Sequence, residues 1–303
     1  MDMKPLVIGT RGSDLALWQA KAVRDALGHY TSQAVEIKVI ETRGDQHLEL
    51  SLSNHKLDKG LFTRELEEEL RTGEVDFAVH SLKDMPVEQP DGLTLAGVLP
   101  RADVHDVVVA RPGLELHSVR DLVGLKVGTS SPRRISQLSY LIGADKAVTA
   151  DIRGNVPTRI RKVIDGEYDA VLLAYAGLER LGLTDKVSLH LPLEAMLPAP
   201  GQGAIGIQCA TSNTQALQLA KKINDPETML TTRIERQVLA ALGGGCALPL
   251  GILCRVDGRE VCHIHVAYAP RLGADMIRHH YLVPVEHEPD ALVSICRELS
   301  AGR

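Results

Sequence analysis

Short β-branched runs alternating with helical periodicity predict an α/β fold for most of the chain. Two further observations refine this: a strand-to-helix junction that occurs twice, and a meander of strands near the C-terminus. The first alternation runs Leu6–Ile8, a helix from about Leu15 to Leu27, Val35–Ile40, a helix from about Thr63 to Arg71, and Val75–Val79, which reads as a largely parallel sheet. A second set begins at Asp106 with Val107–Ala110, continues through Leu125–Gly128 and a helix after Pro132, and reaches Ala170–Ala174. The junctions match. Val7-Ile8-Gly9-Thr10-Arg11-Gly12-Ser13 and Lys126-Val127-Gly128-Thr129-Ser130-Ser131 both place Gly-Thr and a hydroxyl residue between strand and helix, and Gly73-Glu74-Val75-Asp76 parallels Gly166-Glu167-Tyr168-Asp169. Two related α/β domains follow. Leu99-Pro100-Arg101 and Leu197-Pro198-Ala199-Pro200-Gly201 read as crossings between them, which would make a hinged cleft. After Gly203, a strand (Ala204–Gln208) and helices (Thr214–Ile223, Pro226–Leu242) lead to strands at Ile252–Val256, Glu260–Ala267 and Ile277–Val285 and a helix at Asp290–Leu299, a smaller α+β domain. The expected boundaries are 1–99 with 200–222, 100–199, and 223–303.

Composition narrows the function classes. At 303 residues and 44% hydrophobic, the chain can bury a core in each domain without staples. Only 3% of residues are aromatic, and the formal charge is -5. Little ring surface is left for stacking bases, and the net charge disfavours binding a polyanion, so no nucleic-acid partner is expected. No run approaches the roughly 20 apolar residues of a membrane span, and Met1 to Leu6 lacks the apolar stretch of a secretory signal. No membrane partner and a cytoplasmic location are therefore expected. The five cysteines are odd in number and none forms a C-x-x-C pair, which points to reduced thiols.

Three features could carry chemistry. Arg133 and Arg134 follow Thr129-Ser130-Ser131 at a helix start, and Arg153, Arg159 and Arg161 surround the Gly154-Asn155 turn. Guanidinium forks at helix N-termini bind carboxylates or phosphates, because N–H donors, helix dipole and formal charge act in the same direction; the competing reading is a solvated, salt-bridged face. Arg11 and Ser13 occupy the matching loop of the first domain. Second, Lys83-Asp84 follows the strand Phe77–Val79 and so belongs at a strand's carboxyl end, where open α/β sheets hold ligands. An ammonium beside a carboxylate there could bind an acidic substrate and move a proton, or simply face water. Third, Gly243-Gly244-Gly245 precedes Cys246, leaving the thiol either on an unobstructed loop as a nucleophile or attachment point, or buried and inert. Cys246, Cys254 and Cys262, with His263 and His265, lack the short paired spacings of a zinc site, and no metal is expected. The run Glu65, Glu67, Glu68, Glu69 reads as the solvated face of a helix.

Taken together, these segments closely resemble the porphobilinogen deaminase family, in order from Ile8 to about Gly251. The resemblance rests on Gly9-Thr10-Arg11 with Leu15-Ala16-Leu17-Trp18-Gln19-Ala20, Thr42-Arg43-Gly44-Asp45, Lys59-Gly60-Leu61-Phe62, and Val79-His80-Ser81-Leu82-Lys83-Asp84. It continues through Gly128-Thr129-Ser130-Ser131 with Arg133-Arg134, Arg153-Gly154-Asn155, Ala176-Gly177-Leu178, Pro200-Gly201-Gln202-Gly203 and Gly244-Gly245-Cys246. It implies two periplasmic-binding-protein-like α/β domains and an α+β C-terminal domain. It also implies a monomeric transferase of porphyrin and heme biosynthesis that condenses four porphobilinogen molecules, with loss of ammonia, to hydroxymethylbilane. Growth would start from a dipyrromethane cofactor held by a thioether to Cys246.

Carried over by position, Asp84 would be catalytic. Ser13, Lys83, Asp84, Thr129, Ser131, Arg133, Arg134, Arg153 and Gly154 would bind the cofactor. Arg11, Arg153, Arg159, Arg180 and Gln202 would bind substrate, and Lys59 and Phe62 would belong to a flap over the cleft. The departures from the family pattern are Pro132, Pro157 and Ala247. A rival from another class is a non-catalytic, two-lobed binding protein for a small organic anion, which the arginines would serve equally well but which leaves Cys246 and Asp84 without a task.

Overall fold

The computed structural model describes residues 4–42, 63–244 and 248–301. By contacts the chain forms two units, Met1–Ala102 with Gly203–Leu230, and Asp103–Gln202 with Thr231–Arg303.

In the first unit, β1 (Leu6–Thr10), α1 (Asp14–Leu27), β2 (Val35–Val39), α2 (Arg64–Thr72), β3 (Phe77–Ser81) and β4 (Leu93–Val98) are joined by β10 (Ile205–Ala210) and α6 (Thr214–Ile223). Helix α1 starts where Ser13 accepts a hydrogen bond from the Ala16 amide at 3.3 Å, with Asp14 in the dipole-complementing first turn. Helix α2 stops at Gly73, whose φ of 74° is left-handed and favours glycine. The sheet order is β2-β1-β3-β10-β4. Leu6, Ile8, Phe77 and Ile207 meet Val23 and Leu27 of α1 and Leu219 and Ile223 of α6 in one core, while Leu66 and Leu70 of α2 join Val75 and Ala78 in a second.

The second unit repeats this plan with β5 (Asp106–Ala110), β6 (Val127–Gly128), α3 (Pro132–Ile142), β7 (Thr149–Ala150), α4 (Val156–Ile164), β8 (Ala170–Ala174), α5 (Tyr175–Arg180) and β9 (Leu189–His190). Its sheet order is β7-β6-β8-β5-β9. Val108 and Val127 pack with Leu138 and Leu172 in one core, whereas Val107 and Val109 join Ile160, Val163 and Leu173 in another. That alternation buries β5 on both faces, which is why its sequence is a continuous apolar run.

Both sheets are largely parallel, as the alternation predicts, with one strand reversed in each. Strand β1 is parallel to β2 and β3, and β6 to β7 and β8, but β10 runs antiparallel to β3 and β4, and β5 to β8 and β9. The reason is chain entry. Each antiparallel strand follows one of the two proline-flanked segments and begins at the carboxyl edge of the parallel strands, Ile205 beside Ser81 and Asp106 beside Ala174.

The second unit also holds most of α7 (Pro226–Ala241), an antiparallel sheet of β11 (Leu250–Val256), β12 (Val261–Tyr268) and β13 (Ile277–Pro284), and α8 (Glu288–Ala301). Glu235 of α7 is fully buried and accepts from the Gly201 amide at 2.7 Å and the Cys254 amide at 2.9 Å, so one carboxylate ties the helix to both segments. Among the described residues no helix is long and apolar enough to cross a membrane.

Gly97 marks a close approach between β4 and α6. A Cβ there would lie 2.8 Å from the Ala220 carbonyl oxygen, a backbone atom. Gly97→Ala is therefore expected to cost about 1–3 kcal/mol, read as a lower urea midpoint with an unchanged slope; a wild-type midpoint would show that α6 shifts freely.

Candidate functional site

In open α/β sheets, ligands meet the loops at the carboxyl ends of parallel strands. In the first unit this edge carries Arg11 and Ser13 after β1, and Lys83 and Asp84 in a short 3-10 turn, Leu82–Asp84, after β3. Lys83 is partly exposed and Asp84 exposed. The loop is fixed from below: Gln19 of α1, 2% exposed, donates through Nε2 to Ser81 Oγ at 2.9 Å, and His80 Nε2 lies 3.2 Å from Gln208 Oε1.

In the second unit the same edge carries Thr129–Ser131 after β6, Arg153 and Gly154 after β7, and α5 with Arg180 after β8. Ser131 and Asn155 accept from the N-termini of α3 and α4 respectively, the latter through Thr158 N at 3.0 Å. Pro132 stands in the first turn of α3 and Pro157 in that of α4, where a missing amide costs nothing. Gly154 has φ 111°, and a Cβ would lie 2.7 Å from Thr158 Cγ2, so the turn demands glycine. Arg153 Nε is 3.3 Å from Asp151 Oδ2, and Arg159 Nε donates to the Gly154 carbonyl at 2.8 Å. Burial lowers the pKa of Arg180.

Beneath this edge sits a group that the sequence reading missed. Asp106, at the start of β5, is fully buried between Arg133 and Arg134. Arg134 grips Oδ1 through Nη2 at 2.7 Å and Nε at 3.2 Å and donates through Nη1 to the Leu172 carbonyl at 2.8 Å. Arg133 Nη1 donates to Oδ2 and, at 2.7 Å, to the Leu197 carbonyl. Burial by itself would raise the Asp106 pKa, but the two guanidinium charges and their hydrogen bonds outweigh it and hold the carboxyl well below the usual range. One carboxylate against two guanidiniums leaves a surplus positive charge, and Arg133 Nε is buried with no hydrogen-bond partner among the described residues.

These positions change the reading of three predicted residues. Arg133 and Arg134 are neither a solvated face nor open forks; at 5% and 6% exposure they already hold a carboxylate of the protein's own. Gln202, expected to bind substrate, is fully buried, and its Nε2 donates to the Val104 carbonyl at 2.7 Å and to Asp106 Oδ1 at 3.1 Å. It braces Asp106. The signal for Asp106 was present in the sequence: a carboxylate opening the apolar run Val107-Val108-Val109 must be buried, and a buried charge must find partners. Cys246, Lys59 and Phe62 lie outside the described residues.

A family model described as porphobilinogen deaminase, dipyromethane cofactor binding domain, matches residues 6–218. The porphobilinogen deaminase of Syntrophomonas wolfei is 44% identical over 86% of this chain and 83% of its own length. Porphobilinogen deaminase 1 of Streptomyces avermitilis is 41% identical over 99% of this chain and 95% of its own. The chain belongs to the porphobilinogen deaminase family.

For this family member, the Asp106 cluster makes a test of stability as well as of chemistry. Because the folded-state pKa is depressed, the contribution of Asp106 is complete above the ordinary carboxylate value and is lost as pH falls below about 4 towards the folded value. Asp106→Asn leaves two buried guanidiniums uncompensated and is expected to cost about 3–5 kcal/mol at neutral pH. Denaturant melts at pH 7 and pH 3 should show a smaller difference between wild type and variant at the lower pH; an equal difference would remove Asp106 as the source of the acid sensitivity.

Proposed function

We propose that this chain condenses four porphobilinogen molecules head to tail, releasing ammonia and yielding hydroxymethylbilane, from a dipyrromethane primer joined by a thioether to Cys246. Family membership supports the reaction. The observation that carries the assignment of residues is the donor set on the carboxyl edges of the two α/β sheets: ammonium, guanidinium and hydroxyl groups on short loops, with a buried arginine pair of surplus positive charge in the second unit. Each pyrrole of substrate and cofactor carries acetate and propionate arms. Fixed cations and N–H donors suit such arms. The residues therefore fit a polycarboxylate group.

When bound, the dipyrromethane supplies the pyrrole carbon from which the chain grows. Ser13, Lys83, Thr129, Ser131, Arg153 and Gly154 hold its arms, and Arg11, Arg159 and Arg180 bind those of the incoming porphobilinogen. Arg133 and Arg134 act from below, lending charge to the edge while Asp106 keeps them in place. Asp84 does the chemistry: an exposed carboxylate beside Lys83 can assist the departure of ammonia and then stabilise the positive charge left on the ring. Lys59 and Phe62 belong to a flap. The chain is a cytoplasmic monomer in this reading, with domains at 1–99 with 200–222, 100–199 and 223–303.

Intact mass spectrometry tests the attachment. The purified protein should exceed its chain mass by two linked pyrroles, and Cys246→Ser should show the chain mass alone; a bare wild-type chain would instead favour the anion-binding protein. Asp84→Glu should retain measurable turnover while Asp84→Asn falls about a hundredfold or more in kcat. Arg153→Ala should raise KM for porphobilinogen or block primer assembly with an unchanged melting temperature. Unaltered kinetics would take Arg153 out of the site.

A further inference from the structure

The sheet of β11, β12 and β13 has two unlike faces. Cys262, Ile264 and Val266 of β12 are buried, with Cys254 of β11 paired to Ile264 on the same side. The alternate residues of β12, His263 and His265, point to the other face by the two-residue period of a strand, and they are only partly buried. There the register sets His265 directly opposite His280 of β13, and His263 opposite Leu282. The rings of His265 and His280 stack with centroids 4.0 Å apart at 6°, and those of His263 and His280 are 5.6 Å apart. One ring nitrogen from each of the three lies within 4.8 Å of the others.

We propose that His263, His265 and His280 form a binding site for a divalent transition-metal ion of the zinc class. Three Zn–N bonds of about 2.0–2.1 Å in a tetrahedron bring the nitrogens to about 3.3 Å from one another, a convergence that modest ring rotations from the present spacing supply. Imidazole donors select zinc, copper and nickel over magnesium or calcium, which prefer oxygen. His263 also has an outer partner: its Nε2 lies 3.2 Å from Asp257 Oδ2, so a carboxylate can orient the ring and leave its other nitrogen for the ion. The surrounding charges are mixed. Arg255, exposed and opposite His263 on β11, opposes a cation, while Asp257 favours one; micromolar affinity is the expectation. His280 is exposed, which leaves an entry path and room for a water or external ligand in the fourth position.

The spacing of Cys246, Cys254, Cys262, His263 and His265 points to no metal. That spacing holds no information about His280, which arrives from the next strand, and the pleat separates Cys254 and Cys262 from the histidines. Bound between β12 and β13, the ion would fasten the edge strand β13 to its neighbour from outside the core.

Untagged holoprotein, stripped with EDTA and desalted, can be titrated with Zn2+ by calorimetry and with Co2+ by absorption. The expected result is one equivalent bound, a visible Co2+ spectrum of nitrogen ligation, and a melting temperature several degrees higher with Zn2+. Affinity should fall at least tenfold in His280→Ala and in the milder His280→Gln, both at an exposed position, and in His265→Ala. His279→Ala, which alters the neighbouring residue on the opposite face, should bind as wild type does. Binding that survives in His280→Ala and His265→Ala, the absence of a saturable equivalent in wild type, or a Co2+ spectrum dominated by thiolate charge transfer would each overturn the site.

Discussion

A single buried carboxylate organises the second unit. Asp106 is the first residue of β5, and its two oxygens take donors from Arg133, Arg134 and Gln202. Those donors in turn reach the carbonyls of Leu197, Leu172 and Val104. The start of β5, the middle of β8, the first turn of α3 and the segment before Gln202 therefore share one hydrogen-bonded centre. A charge so placed is tolerable only because it is fully paired; the same low dielectric that makes the pairing strong makes any loss of it costly.

The carboxyl edges of both α/β sheets follow from one topological rule applied twice. In each sheet a central strand, β1 or β6, has a parallel neighbour on either side, and a strand arriving from a crossing enters antiparallel beside them. That entry places Asp106 next to Ala174 and Ile205 next to Ser81, so the segments before β5 and β10 brace the start of α5, which carries Arg180, and the loop that presents Lys83 and Asp84. Helix caps finish the work. Ser13, Ser131 and Asn155 each satisfy amides at the start of a helix and so fix where the neighbouring cation stands.

Much of this was legible in the residues. Helix α1, strand β8 and helix α6 lie where the pattern puts them, because long amphipathic repeats and unbroken apolar runs leave few alternatives. Helix α4 was not among the predicted elements, although Asn155 as a cap, Pro157 in the first turn and the helical spacing of Val156, Ile160 and Val163 announce it; the charged residues between them dilute that apolar pattern. The two-residue strands β7 and β9 have no period to read.

The sequence by itself determined the family, the α/β plan and the cationic loops, since these depend on local pattern and on residues close together in the chain. Tertiary structure alone decided which strand in each sheet runs against the rest, because parallel and antiparallel pairing use the same apolar runs. It alone decided that Arg133, Arg134 and Gln202 converge on Asp106, and that His280 meets His263 and His265. Such meetings join residues far apart in the chain through sheet register, which no spacing along one strand encodes.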